Sequence, residues 1–351
     1  NPQPEPYANF VPAENGISFS VTDDKPLLND RITVTLNGAV FRATNGLVIT
    51  GADTSRQVSL SALADHANYV AVLEVVDADN LTNITVLYFD TFATYDFVVE
   101  VEDYNFSGGQ YLDDPLLVPE NQFDFAGYRG QMGGPGIDYS DTKNYIANAP
   151  YRPSDGVGMQ RSLDVQRQKF VDAGGSEGGY YDYDVGDIEP NEWLNFTRTF
   201  PDGTYEVYVR QSLINLAQSE CVLERVLTSA SEPNQTTEVV GSFLGSITGF
   251  RYRNFPLTDA SGQQKVILQL GGTETFRLRQ VPGDPADGYI YQNYLIFIPA
   301  EGSGVQRPLI TSLQPAPGAV VRSVSPVISI SIRNRDTGID PETVFLELNG
   351  R

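Results

Sequence analysis

Strict alternation of apolar and polar residues on either side of one turn-like tripeptide constrains this chain more than any other feature. Before the tripeptide, Leu194 and Phe196 alternate with Trp193, Asn195 and Thr197; after it, Tyr205, Val207 and Val209 alternate with Glu206, Tyr208 and Arg210. A period of two is the pattern of a strand with one face buried. Between the runs, Pro201-Asp-Gly203 carries turn chemistry, so the stretch reads as strand, turn, strand. Trp193 is the single tryptophan of the chain, and tyrosines crowd the segment just before it. Such a stretch is expected to build a sandwich core, an aromatic ligand platform, or both.

The same period recurs from the start of the chain. Residues 17–21 and 32–36 alternate cleanly, Asn37-Gly38 supplies a tight-turn dipeptide, and further strands are expected at 57–60, 69–76 and 84–89. Strands at that spacing predict an immunoglobulin-like sandwich over residues 1–96. Asp77 and Asp79, in the turn between the last two, are expected to cap backbone groups.

Residues 97–300 are read as a second, larger β domain. Its stretch 107–179 is poor in strand signals, and short strands and ordered loops are expected there, with a helical turn near 163–170. Later runs at 221–227, 238–243, 265–270, 275–278 and 294–298 supply its remaining strands.

The end of the chain repeats its beginning. Ile328-Ser-Ile-Ser-Ile332 and the segment ending at Asn349-Gly350 match residues 17–21 and the segment ending at Asn37-Gly38, with nearly equal spacing. Each copy follows a proline-containing lead-in, Val11-Pro-Ala-Glu-Asn-Gly16 and Gln314-Pro-Ala-Pro-Gly318. Both copies resemble the opening strands of bacterial immunoglobulin-like repeats. Residues 301–351 are therefore expected to be a linker, beginning at Glu301-Gly-Ser-Gly304, and a partial immunoglobulin-like domain that cannot close a sandwich alone.

A net charge of −22 opposes binding to nucleic acid or an anionic membrane, and suits cations and neutral glycans instead. No segment approaches the roughly 20 apolar residues of a membrane helix. The one cysteine, Cys221, permits no internal disulfide and is expected to pack as a small apolar residue. His66, the only histidine, has no catalytic or metal-ligand pattern around it and is expected at the surface. Nothing here points to an enzyme.

Three segments carry a family resemblance. Asp184-Val-Gly186, Glu192-Trp-Leu-Asn-Phe-Thr197 and Pro201-Asp-Gly-Thr-Tyr-Glu-Val-Tyr-Val-Arg210 together resemble the central strands of family 6 and family 35-like carbohydrate-binding modules. Val98-Val-Glu-Val-Glu-Asp-Tyr104 is similar to their opening strand, and Tyr291-Gln-Asn-Tyr-Leu-Ile-Phe-Ile298 to their closing one. The resemblance implies a jelly-roll (galactose-binding-like) β-sandwich over 97–300, with Trp193 in its core, and a non-catalytic role.

Glu100 and Glu102 lie two apart in an expected strand, so they should project from one face, where hard cations such as calcium find oxygen ligands. The resemblance implies that this pair holds a structural Ca2+ with a group from the closing strand, here Asn293. Sugar rings stack on flat aromatic faces, and hydroxyls take hydrogen bonds from short polar groups. The candidates are Tyr128, Tyr139, Tyr151, Tyr180, Tyr181 and Tyr183, with Arg129, Arg152, Asp155 and Asn293 as polar partners. The chain thus reads as all-β, a secreted or cell-surface bacterial protein whose middle module binds polysaccharide. The rival reading is a structural unit of a tandem-repeat adhesin or filament, with its terminal strands completed by a neighbouring copy.

Overall fold

A computed structural model describes the chain except residues 62, 123, 125, 143–150, 215–217, 282–289, 301–308, 316–318, 324, 334–343 and 347–351. Seven strands form the first unit: β1 (Ile17–Thr22), β2 (Ile32–Leu36), β3 (Ala39–Phe41), β4 (Val48–Ala52), β5 (Ser55–Leu60), β6 (Asn68–Val76) and β7 (Thr82–Asp90). They make two antiparallel sheets, ordered β1-β5-β4 and β3-β2-β6-β7. The alternation read in the sequence is realised in β2, where Ile32, Val34 and Leu36 are buried and the threonines between them are not. With Ile17, Phe19, Val58, Leu60, Leu73, Leu87 and Phe89 they fill the space between the sheets. Asn37 and Gly38 both have positive φ, at 46° and 86°, the geometry of the tight hairpin expected from that dipeptide. In the β6–β7 turn the Asp77 carboxylate accepts from the backbone N–H of Asp79 and Leu81, so it caps backbone as expected.

The second unit contains β8 (Phe97–Glu100), β9 (Tyr139–Ser140), β10 (Met159–Arg161), the short helix α1 (Gln168–Asp172), β11 (Tyr183–Val185), β12 (Trp193–Leu213), β13 (Gln218–Val226), β14 (Thr237–Ser246), β15 (Arg253–Thr258), β16 (Ile267–Gln280) and β17 (Ile290–Pro299). The helix overlaps the expected helical segment only at its end.

The expected reversal at Pro201-Asp-Gly203 does not form: β12 is one continuous strand of 21 residues. It pairs with β16 from Trp193 to Glu206 and with β17 from Tyr205 to Leu213, and its register against β16 slips between Phe200 and Gly203. The tripeptide is thus a bulge: pairing with β16 resumes at Gly203 beyond it, and β17 joins β12 from Tyr205. Proline costs nothing at a bulge because no ladder donor is needed there. Opposite it, Gly271 leaves room that a Cβ would deny to Asp202.

Leu194, Phe196, Tyr205, Val207 and Val209 face the apolar core between these strands, together with Cys221, Phe276 and Phe297. Trp193 does not. It sits half-buried on the opposite face, with the Arg277 guanidinium 3.7 Å from its ring centre. The alternation itself requires this, since Leu194 and Phe196 take the inward positions.

The two units share a junction. Phe92 packs on Tyr208, and Phe10 on Tyr294, beside Ile296 and Ile298. The buried Arg210 donates to the Tyr7 carbonyl at 2.8 Å and pairs with Asp164, while Asn254 donates to Asp90 at 2.7 Å. His66 lies here rather than at the surface: its ring is largely covered and holds Asp96 at 2.8 Å.

At the other end, β18 (Leu309–Gln314) pairs antiparallel with β19 (Ser329–Arg333). The expected linker at 301–304 and most of the later repeat lie outside the described residues.

Candidate functional site

Glu100 ends β8, and the chain then turns through a single 3-10 turn, Val101–Asp103. The two glutamates are therefore neighbours by that turn, not by alternation along a strand. The result is the same juxtaposition: oxygens of Glu100, Glu102 and Asp182 lie within 4.8 Å of one another, and all three residues are buried.

Arg167 and Lys169, flanking the start of α1, neutralise part of this charge. The Arg167 guanidinium donates to both oxygens of Glu100, at 2.9 and 2.7 Å, and to Asp182 at 2.8 Å. Lys169 also pairs with Glu100. Burial disfavours a charged Glu100, but the two cations outweigh it and hold its carboxyl at about 2. Asn293, on β17, donates from its amide to Asp164 at 3.1 Å and to Asp182 at 3.2 Å. In this orientation it steadies the carboxylates, and its amide oxygen faces Arg167.

Glu102 has no such relief. Burial, and then Glu100, Asp103 and Asp182, push its carboxyl well above the usual carboxylate range. Its Oε2 is buried with no hydrogen-bond partner. A carboxylate buried among like charges must take a proton or a cation. Asp103 is raised to about 6, first by burial and then by Glu100, while the Tyr151 hydroxyl donates to it at 2.7 Å. The donor set is all oxygen, which fits a hard cation. Glu102 offers a free oxygen, whereas Glu100 and Asp182 would share theirs with Arg167.

Glu100, Glu102 and Asp103 of this cluster line a cleft of about 270 Å³. Tyr151, Tyr180, Tyr181 and Tyr183 line it, facing the segment from Asp113 to Val118. Tyr180 and Tyr181 are half-exposed, and Tyr181 carries the Arg161 guanidinium 3.8 Å from its ring centre. Tyr183 is buried against Tyr151, ring centres 4.9 Å apart, with its hydroxyl on Glu120 at 3.1 Å.

The remaining sugar-site candidates lie beneath the loops. Tyr128 is fully buried, and its hydroxyl exchanges hydrogen bonds with the backbone of Leu112. Arg129 donates to the carbonyls of Pro119 and Gln122, at 2.9 and 2.7 Å. Arg152 is fully buried over the Tyr104 ring and pairs with Asp155 at 2.8 Å. Asp155 also accepts from Tyr104, and its carbonyl accepts from Tyr139. Arg152 and Asp155 tie the long 107–179 segment to Tyr104, while the bonds of Tyr128, Arg129 and Tyr139 hold that segment to itself.

Sequence reading did not single out Asp182, Arg167 or Asp103. Asp182 had a signal, since it alternates with Tyr181 and Tyr183. Arg167 had none, because nothing in its neighbourhood announces a buried cation.

No family profile and no curated protein matches this chain. Some solved structures share parts of it. A family 36 carbohydrate-binding module in complex with calcium and xylotriose is 18% identical, over 32% of this chain and 78% of that one, with TM-score 0.24. A β-1,3-glucan-binding family 6 module from Bacillus halodurans is 14% identical, over 40% of this chain and 85% of that one, with TM-score 0.29. An arabinoxylan arabinofuranohydrolase of glycoside hydrolase family 43 from Bacillus subtilis is 9% identical, over 84% and 54%, with TM-score 0.30. These overlaps are slight, so the chemistry of the cleft carries the functional reading. Among the described residues, no helix is long and apolar enough to cross a membrane.

Proposed function

We propose that the cleft between the Asp113–Val118 segment and the tyrosine wall binds a polysaccharide, and that a divalent cation, calcium by its donor chemistry, sits beneath it. The observation that carries this reading is the meeting, in one cleft, of two half-exposed tyrosines with a buried, unpartnered carboxylate oxygen. Tyr180 and Tyr181 would stack on sugar rings, and Tyr151 and Tyr183 would support them from below. Glu100, Glu102 and Asp182 would hold the cation, with Asn293 orienting Asp182. The other candidates, Tyr128, Arg129, Tyr139, Arg152 and Asp155, would shape the loops that frame the cleft. On this reading residues 97–300 are the binding module of a non-catalytic extracellular protein, and residues 1–96 and 301–351 its immunoglobulin-like neighbours.

A polysaccharide-binding panel run on the intact chain, with calcium and again with chelator, tests the proposal. Binding that requires calcium and is weakened about tenfold by Tyr181→Ala supports it. A folded protein that binds nothing on a broad panel of neutral and acidic glycans overturns it.

A further inference from the structure

β17 does not keep a regular register against β12. Arg210 faces Tyr294 and Gln211 faces Gln292, so Asn293 is the extra residue of a β-bulge. On a regular strand Asn293 and Tyr294 would point to opposite faces. Here both are fully buried and both meet Arg167, whose guanidinium lies 4.4 Å from the Tyr294 ring centre and reaches the Asn293 amide oxygen at 3.5 Å. The bulge thus puts two successive side chains on one buried cluster.

From that cluster the two side chains lead toward the first unit. The Asn293 amide donates to Asp182, among the carboxylates, and also to Asp164. Asp164 accepts two bonds from Arg210, at 2.8 and 2.6 Å, and Arg210 donates onward to the Tyr7 carbonyl. The Tyr294 ring packs against Phe10, ring centres 6.0 Å apart. Tyr7 and Phe10 belong to a strap, residues 7–11, held on the edge of β7: Tyr7 donates to the Tyr88 carbonyl, Val11 to that of Asp90, and Asp90 back to Ala8. A bond from Asn9 to the Val165 carbonyl adds a further grip from the second unit. Tyr7 and Phe10 both have left-handed backbone, φ 69° and 50°, which is unfavourable for a bulky side chain and persists only where the surroundings hold it. The conformation of the strap therefore depends on the groups that grip it from the second unit.

We propose that occupancy of the cation site tightens this strap, and that the docked first unit in turn raises the affinity of the site. The inference rests on the reading of Glu100, Glu102 and Asp182 as cation ligands. Asp182 oxygens committed to a cation accept less from Asn293, so the amide gives more of its bond to Asp164. Asp164 then holds Arg210, and through it the Tyr7 carbonyl, more firmly. Arg167, drawn less by Glu100 and Asp182, is held more by the face of Tyr294, the ring on which Phe10 packs. Hydrogen bonds in a buried chain polarise one another, so a change at one end is felt at the other. The effect is reciprocal: whatever factor the cation gives the docked strap, the docked strap gives the cation. The apolar core between the sheets of the first unit lies off this path.

Amide hydrogen exchange of Tyr7 and Val11, followed in the intact chain with calcium and with chelator, tests the coupling. Calcium should slow both amides by at least about threefold and leave those of β5 unchanged. Phe10→Ala, which removes no charge and touches no carboxylate of the site, should weaken calcium binding in calorimetric titration by about the same factor. Calcium that binds the parent but leaves Tyr7 and Val11 exchanging as before overturns the coupling and spares the site, and so does undiminished affinity in the Phe10→Ala variant. A folded chain that binds no calcium removes the site and this inference together.

Discussion

The core between the two sheets of the first unit, from Ile17 to Phe89, is built of isoleucine, valine, leucine and phenylalanine with Tyr69 and Ala71; beneath the cleft the buried side chains include Glu100, Glu102, Asp103, Arg152, Arg167, Asp182 and Asn293. The first interior is held by apolar burial, which is non-directional and indifferent to ionisation. The second is held by charges that must meet specific partners, and removing one partner strands the rest. The first region should therefore tolerate changes of pH and cation that the second feels. The comparison also separates scaffold from site, since Glu102 is left wanting a partner only in the charged interior.

The largest expected effect is at Arg167. Arg167→Met leaves Glu100 and Asp182 without their shared donor, and should destabilise the second unit by about 3–5 kcal/mol in chemical denaturation. The first unit should be unaffected, and loss of both transitions together would show that the two interiors are not independent. Next is the apolar counterpart: Leu73→Ala should cost about 3 kcal/mol, by lost transfer and a residual cavity, with no dependence on calcium.

At the junction the expected effect is smaller and depends on pH. Burial holds the Asp90 carboxyl at about 6, despite relief from Arg210, the backbone amides of Phe10 and Phe92, and Asn254. Between its ordinary value near 4 and about 6, the folded chain keeps a proton that the unfolded chain releases. The contribution of this group to stability should therefore fall as pH rises through that window, by about 2.7 kcal/mol, and stay level above it. Asp90→Asn should remove its share of the slope and leave the share of Asp103, whose carboxyl is also raised to about 6, and a slope unchanged in the variant would place its origin elsewhere. Smallest in stability is Tyr181→Ala, expected within about 0.5 kcal/mol of the parent because the ring is half-exposed. Its effect should fall on glycan binding instead.

The two interiors also differ in how far the sequence discloses them. In β1, β2, β6 and β7, alternation names the inward residues one by one, because apolar burial follows the pleat. The Pro201-Asp-Gly203 bulge was legible as a place where the chain bends, but a bulge and a hairpin use the same residue chemistry. Only the partner strand, carrying Gly271 and Gly272 opposite, decides between them. A buried tyrosine whose hydroxyl finds a carbonyl, such as Tyr128 or Tyr139, has the same local sequence character as an exposed one, so the aromatic set could not be sorted in advance. Glu100 and Glu102 were legible as a pair, while Asp182 and Arg167 reach them from more than sixty positions away through folding alone.

The central claim is that Glu102 is the open ligand position beneath the tyrosine wall, and calorimetric titration of calcium into the intact chain and its Glu102→Gln variant tests it most directly. Saturable binding by the parent, lost or weakened at least about tenfold in a variant that melts normally, is the expected result. Absence of calcium binding to the folded parent, or equal binding by both proteins, would contradict it.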